Sequence, residues 1–337
     1  MKTRFLYLTS LFLCMTAFFS SSCSSEETGD DLPLSALIFH SIDGKKAAFT
    51  ALTHSAVSWE WNFGDGNTSN EKDPVHVYGE GGYYMAKLTA KDKIGNSVTA
   101  QVSLAVALTP YALLTGDHTA EGYNGKTWRL TQSHTVNDKL VNSDIAFSLL
   151  DEDIPSLPAG AFSVFVGLPE AYNDEYTFYH DGGYRHTPTD GSSFGGIVYA
   201  MILQQSGLAQ ITKTGGEAVF GQDVFAMTTC TPREDATFVF NESEDLAVPT
   251  VPGFATGVRP DGVPVVTYPG VMTIDFPGTG DFIGIRDFHR KVIVQEIKNS
   301  TMRLVMFMTL DPKAIISQDP LIALSTSAAI LTFEAVN

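Results

Sequence analysis

Apolar side chains recur at every second position through much of this chain, the period of a strand with one buried face. Val57, Trp59, Trp61 and Phe63 are spaced by two, as are Tyr84, Ala86, Leu88 and Ala90, and then Val98, Ala100, Val102, Leu104 and Val106. Gly64-Asp65-Gly66 turns the chain after the first set, and Asp92-Lys93-Ile94-Gly95-Asn96 has the length of a hairpin connection between the other two. One apolar face per strand with short turns predicts a small β-sandwich over residues 34–107. Beyond residue 22 no amphipathic helical pattern exceeds about two turns, so the expected class is all-β.

Pro110 and Thr115-Gly116-Asp117-His118 mark a boundary, and residues 108–337 predict a larger β-sandwich of jelly-roll-like character. Strands are expected at 127–131, 145–150, 161–166, 175–180, 184–187, 196–203, 217–220, 224–229, 236–240, 271–276, 281–285, 291–298, 301–309 and 329–335. Met302, Leu304, Met306 and Met308 alternate with Arg303, Val305, Phe307 and Thr309, so that strand is apolar on both faces and central. Lys298-Asn299-Ser300 joins it to the strand before. Residues 241–270 carry Pro249, Pro252, Pro260, Pro264 and Pro269, which predicts a long ordered loop.

The first residues make a different signal. Lys2 and Arg4 precede an apolar run from Phe5 to Phe19, shorter than the about 20 residues of a spanning helix. Ser20-Ser21-Ser22 and then Cys23 follow. A basic start, a short apolar core and small residues read as a secretory signal at 1–22, and its junction with cysteine resembles a lipobox. That resemblance implies acylation of Cys23 and anchorage in outer-membrane lipid. Residues 23–33 are polar and acidic and predict a flexible tether. The same acidic stretch resembles a surface-export signal, so the expected place is the outer face of the outer membrane.

Charge narrows the partners. The chain has 21 Lys+Arg against 38 Asp+Glu, a net charge of −17, and loss of residues 1–22 would remove two bases and no acid. Such a surface repels phosphate backbones, so nucleic acid is not an expected partner. Of three cysteines only Cys230 would remain free after processing and acylation, so stability is expected from burial and not from a disulfide.

Three motifs in order carry a family resemblance. Trp59-Glu60-Trp61-Asn62-Phe63-Gly64-Asp65-Gly66, Asp73-Pro74-Val75-His76-Val77-Tyr78, and Gly82-Tyr83-Tyr84 with Leu88-Thr89-Ala90 resemble a PKD domain, an immunoglobulin-like spacer module. Gly125 to Leu130, Asn173 to Phe178, Met272 to Phe276 and Phe282 to Ile285, with the closing hairpin, resemble a C-terminal module of Sus-type surface glycan-binding lipoproteins. Two features depart from it. The closing strand Ala329 to Glu334 is not aromatic-rich, and no Gly-His-Gly loop follows Trp128. The resemblance implies an oligo- or polysaccharide ligand and a neighbouring glycan transporter complex.

Sugar sites need rings to stack on pyranose C–H faces, with polar side chains around them. The densest such stretch is Tyr172 to His186. Strand period places Tyr176 and Phe178 in the core. It leaves Tyr172, Asp174, Tyr179, Arg185 and His186 as the candidate carbohydrate-binding set, with the loop around Phe254 and Tyr268 next in line. His180-Asp181 and His186 invite a metal reading, but a turn explains the Asp and the glycines, so no metal or cofactor is expected. Cys230 has no basic neighbour in sequence, and no hydrolase motif is present, so no catalytic residue is assigned. The expected function is non-catalytic glycan binding. A glycoside hydrolase or lyase on the C-terminal sandwich and a structural or adhesin-type lipoprotein are the alternatives.

Overall fold

A computed structural model describes residues 33–144, 154–278 and 280–336. The expectations for residues 1–22, Cys23, most of the tether and the strand at 145–150 lie outside them. The chain divides into two compact units, one carried chiefly by residues 48–76 and 86–102, the other running on from Ser103.

The N-terminal domain has seven strands: β1 (Ser35–Asp43), β2 (Lys46–His54), β3 (Ser58–Asn62), β4 (Thr68–Ser69), β5 (Val75–Val77), β6 (Gly82–Lys91) and β7 (Ser97–Val106). They form a three-stranded sheet, β1-β2-β5, and a four-stranded one, β4-β3-β6-β7. Alternation decides which side chains go in. Phe49, Trp61, Phe63, Ala86, Leu88 and Ala90 are buried, and Phe49 lies 5.1 Å from Trp61 between ring centroids. Trp59, on the same face as Trp61, is only half-buried, with its indole N–H bonded to Thr53. In the Gly64–Gly66 turn, Asp65 accepts hydrogen bonds from the Asn67 backbone and from His76.

The C-terminal domain is a larger β-sandwich. Its main sheet runs β11 (Tyr184–Thr187), β10 (Glu175–Phe178), β8 (Lys126–Leu130), β22 (Ser327–Ala335), β19 (Thr301–Met308), β18 (Val292–Ile297), β17 (Pro264–Asp275), β15 (Val239–Pro249). β9 (Lys139–Asn142) extends β22 and β16 (Gly257–Val258) adds to β17. A second sheet, β12 (Ser192–Gly196), β14 (Phe225–Thr229) and β13 (Ile211–Gly215), shares a core with it. There Trp128, Tyr176, Phe178, Leu304, Met306 and Phe333 meet Phe194, Phe225 and Met227. The other face of the main sheet buries Val248, Tyr268, Ile293, Val305, Phe307 and Ile330. β19 is therefore apolar on both faces because both of its faces are covered, as its sequence predicts.

Five local expectations need correction. Residues 161–166, 196–203 and 217–220 form helices instead of strands: α2 (Ala161–Val164), α3 (Ile197–Gln205) and α4 (Glu217–Phe220), after the first helix, α1 (Pro110–Thr115). In α3 Ile197, Val198 and Ile202 are β-branched, and Ala200, Met201, Leu203, Gln204 and Gln205 outnumber them as helix formers. α4 is a single turn bounded by Gly216 and Gly221, both at positive φ. Residues 281–285 make no strand, because Gly284 turns at φ 69° with a Cβ position only 2.7 Å from Met306 Sδ. The proline-rich 241–270 stretch is mostly strand, not loop. Pro249 ends β15, Pro264 starts β17, and Pro269 sits where their pairing slips, positions that need no ladder N–H.

Candidate functional site

The predicted sugar set does not come together on the surface. Tyr172 ends a short 3-10 turn, Pro169–Tyr172, and its ring is buried in the core. Its hydroxyl bonds His134 Nε2 at 2.8 Å and accepts from the Phe162 amide at 3.0 Å. Asp174 and His186 are buried too, and His186 Nε2 meets Asp174 Oδ2 at 2.9 Å. None of the three can offer a face to a sugar, which corrects the expected exposure. Only Tyr179, half-buried, and exposed Arg185 stay at the surface, the guanidinium 5.8 Å above the ring. Tyr176 and Phe178 are buried, the orientation that strand period predicts. His180 stacks on His118 at 3.7 Å while His186 faces Asp174, so the two imidazoles serve different neighbours. Among the described residues no group of three or more His, Cys, Asp or Glu side chains converges as a metal site.

A cleft of about 520 Å³ lies elsewhere in this domain. Tyr199 of α3 and Phe288 line it, their rings edge to face at 4.8 Å. Arg259, paired with Asp261 at 2.8 Å, reaches it from the proline-rich stretch, and Arg290 and His289 flank Phe288. The segment after Pro320 closes the far side. At its base Asp287 is 1% exposed. Its Oδ1 accepts from the amides of Phe288 and Thr309, at 2.8 and 3.1 Å, while Oδ2 has no partner among the described residues. Burial pushes the Asp287 carboxyl up to about 8, against the pull of those two amides, so near neutrality it is mostly protonated and can donate from Oδ2.

That proton sets a stability slope. Between the ordinary carboxylate value of 3.8 and about 8 the native state holds a proton that the unfolded chain has lost. Stability therefore falls with rising pH across that window, at about 1.4 kcal/mol per unit for a fully separated group. Asp287→Asn keeps the acceptor oxygen and removes the titration. In urea unfolding the variant should gain on wild type between pH 6 and 8.5, and parallel pH profiles would contradict this assignment.

A smaller cavity, about 50 Å³, is lined by His186, Cys230, Arg233, Asp281 and Arg286. Cys230 Sγ lies 3.8 Å from His186 Nδ1, on the far side of the ring from Asp174. Cys230 thus has the basic partner that its sequence neighbours do not supply. Burial opposes ionisation of its thiol, yet the His186 hydrogen bond and the charges of His186 and Arg286 outweigh it and hold the thiol below its usual value. Burial likewise disfavours charged His186, but Asp174 and Cys230 overcome this and raise it.

The PKD domain family model matches residues 42–106, where the β3 tryptophans, the Gly-Asp-Gly turn and strands β2 to β7 lie. Residues 42–106 form a PKD domain. Collagenase ColA of Bacillus cereus is 44% identical over 72 residues, 21% of this chain and 7% of the collagenase. Collagenase ColQ1 of Bacillus cereus strain Q1 is 35% identical over 74 residues, 22% and 8% of the two chains. This chain thus spans under a tenth of either collagenase, and the match covers only the PKD part. The solved PKD1 domain of Vibrio anguillarum Epp is 28% identical, covering 23% of this chain and 95% of that one at a TM-score of 0.22. A structure of carbohydrate-binding modules from the β-sandwich superfamily covers 91% of this chain and 97% of that one, at 12% identity and a TM-score of 0.23. So low a score leaves the chemistry of the C-terminal domain to its own residues.

No sequence motif marks the 520 Å³ cleft. Its residues come from α3, the end of β15, the 259–261 turn, the 287–290 segment and residues 320–323. The second choice from sequence, the loop around Phe254 and Tyr268, misses it: Tyr268 is buried on the other face of the main sheet, and the stretch contributes Arg259 and Asp261 but neither of those rings.

Proposed function

We propose that this protein is a surface glycan-binding lipoprotein of a polysaccharide-uptake system, with the PKD domain as spacer and the Tyr199 cleft as a non-catalytic sugar site. One observation carries the reading. Two aromatic rings, two arginines and a buried carboxyl with a free Oδ2 converge on one open cleft of about 520 Å³. Tyr199 and Phe288 supply apolar faces for pyranose C–H groups. Arg259 and Arg290 donate to hydroxyls, and the protonated Asp287 adds a donor at the base. Asp261 is held by Arg259, and the protonated Asp287 can donate from Oδ2, roles that serve hydroxyl recognition. The inner rings of the PKD domain are taken up by its own core, which suits a spacer. Affinity electrophoresis of the protein through gels holding plant, algal or host polysaccharides tests this. Retardation by at least one glycan, lost in Tyr199→Ala, is expected, and unretarded migration in every gel would overturn it.

The anchor belongs to the same reading. Acylated Cys23 would hold the protein at the outer membrane, beside a glycan transporter. Cys23→Ser should then move the protein from the outer-membrane fraction to the soluble one. Retention of the variant in that fraction at high salt would contradict the anchor.

A further inference from the structure

Cys230, His186 and Asp174 stand in a line that glycan binding does not use. Sγ lies 3.8 Å from Nδ1, and Nε2 lies 2.9 Å from the carboxylate. Three strands bring them together: β11 carries His186, Cys230 follows β14, and Asp174 precedes β10. The order nucleophile, base, orienting carboxylate is the arrangement that activates a thiol for attack on a carbonyl. The imidazole and carboxylate are buried, so their geometry is fixed, while Cys230 is part-exposed and lines the small cavity. Ser193 Oγ, 3.4 Å from Nε2, is the further polar group on the ring. Arg233 and Arg286 also line the cavity, and Arg286 Nε has no protein acceptor. Asp281 is drawn to Arg233, 3.4 Å away, which leaves Arg286 as the guanidinium next to the thiol without a carboxylate partner.

We propose that this line is an esterase centre, with Cys230 as nucleophile, for short acyl esters such as acetyl esters. The cavity is small, about 50 Å³, which favours a short acyl group. Gly280 lines both this cavity and the 520 Å³ cleft, so the two adjoin.

The cycle closes with water as co-reactant. The thiol passes its proton to His186 Nδ1 as Sγ attacks the ester carbonyl, the C–S bond forms, and the carbonyl electron pair moves to oxygen beside Arg286. Collapse breaks the bond to the alcohol oxygen, which takes the proton from His186 Nδ1. Water then gives its proton to His186 and attacks the thioester, which releases the acid and returns the thiol. Asp174 touches neither ester nor water and is a positioning residue, holding the ring with Nδ1 toward sulfur.

The test uses the full chain with 4-nitrophenyl acetate and needs no glycan, so its failure leaves the binding reading standing. A burst of nitrophenolate, one acetyl group on Cys230 in acid-quenched protein, and slower turnover are expected. Cys230→Ala should abolish the burst, and His186→Gln should slow acetylation at least a hundredfold, within the usual range for a lost base. Asp174→Asn should move the pH midpoint of acetylation upward, a change that a merely structural role would not produce in folded protein. Alkylation of the wild-type thiol by iodoacetamide is the second measurement. A plateau already reached below pH 7 in native protein, lost in denaturant, supports the centre. A rate that follows ordinary thiol ionisation near pH 8.5, or acetylation that is unchanged in His186→Gln, overturns it.

Discussion

Asp138→Ala should cost the C-terminal domain roughly 3–5 kcal/mol in urea unfolding at pH 7, because each buried donor left without its acceptor costs about 1–3 kcal/mol. Asp138 is fully buried before β9. Oδ2 meets His134 Nδ1 at 2.9 Å and accepts from the Thr332 amide at 3.0 Å. Oδ1 accepts from the hydroxyls of Thr135 and Thr332, both at 2.6 Å. Alanine leaves four buried groups without their acceptor, across the junction between the 131–138 segment and β22. The same network gives a pH signature. Burial alone would raise the Asp138 carboxyl, but the bonds to His134, Thr135 and Thr332 prevail and lower it. Its stabilisation is therefore complete above the ordinary carboxylate range and is lost as pH falls through the lowered native value. A loss under about 1 kcal/mol would mean that the network carries little weight.

Tyr172→Ala should destabilise the fold by a similar amount, about 3–5 kcal/mol, the usual cost of emptying an aromatic core site. The ring sits 5.7 Å from both Phe162 and His134. Its hydroxyl ties His134 into the same chain that ends on Asp138. Tyr172→Phe keeps the ring and should cost only about 1–2 kcal/mol, the price of leaving those polar partners unmet. Combined with Asp138→Ala it should be less than additive, since both act through His134. A Tyr172→Ala protein with a wild-type melting temperature would return the ring to the surface, where the sequence placed it.

That reversal shows where sequence reasoning stopped. Strand period reaches only as far as the strand. From Tyr176 and Phe178 it finds the core pair correctly, and it leaves Arg185 outside, but His186, which shares the buried face of β11 with Tyr184, is counted with the sugar set. Tyr172 lies beyond β10, in a 3-10 turn, where counting by two says nothing about direction. The PKD domain was legible because its core is local. Trp61 and Leu88 pair across one ladder, and Gly-rich turns mark the ends. The cleft and the thiol line were not, because they join distant segments. His186 and Cys230 are 44 positions apart, and Tyr199 and Phe288 are further apart still. The helix α3 that carries Tyr199 was itself read as strand, which hid the ring.

The central claim is that a glycan binds in the Tyr199 cleft and not on the Tyr172–His186 stretch. A calorimetric titration of the retarding glycan into Tyr199→Ala and Tyr179→Ala, each confirmed as folded, separates the two. Loss of a stacking ring that is a hot spot costs about 2 kcal/mol or more, roughly thirtyfold in affinity. Tyr199→Ala should show that loss while Tyr179→Ala binds as wild type. A thirtyfold loss in Tyr179→Ala with Tyr199→Ala unaffected would contradict the cleft and move the site to β10 and β11.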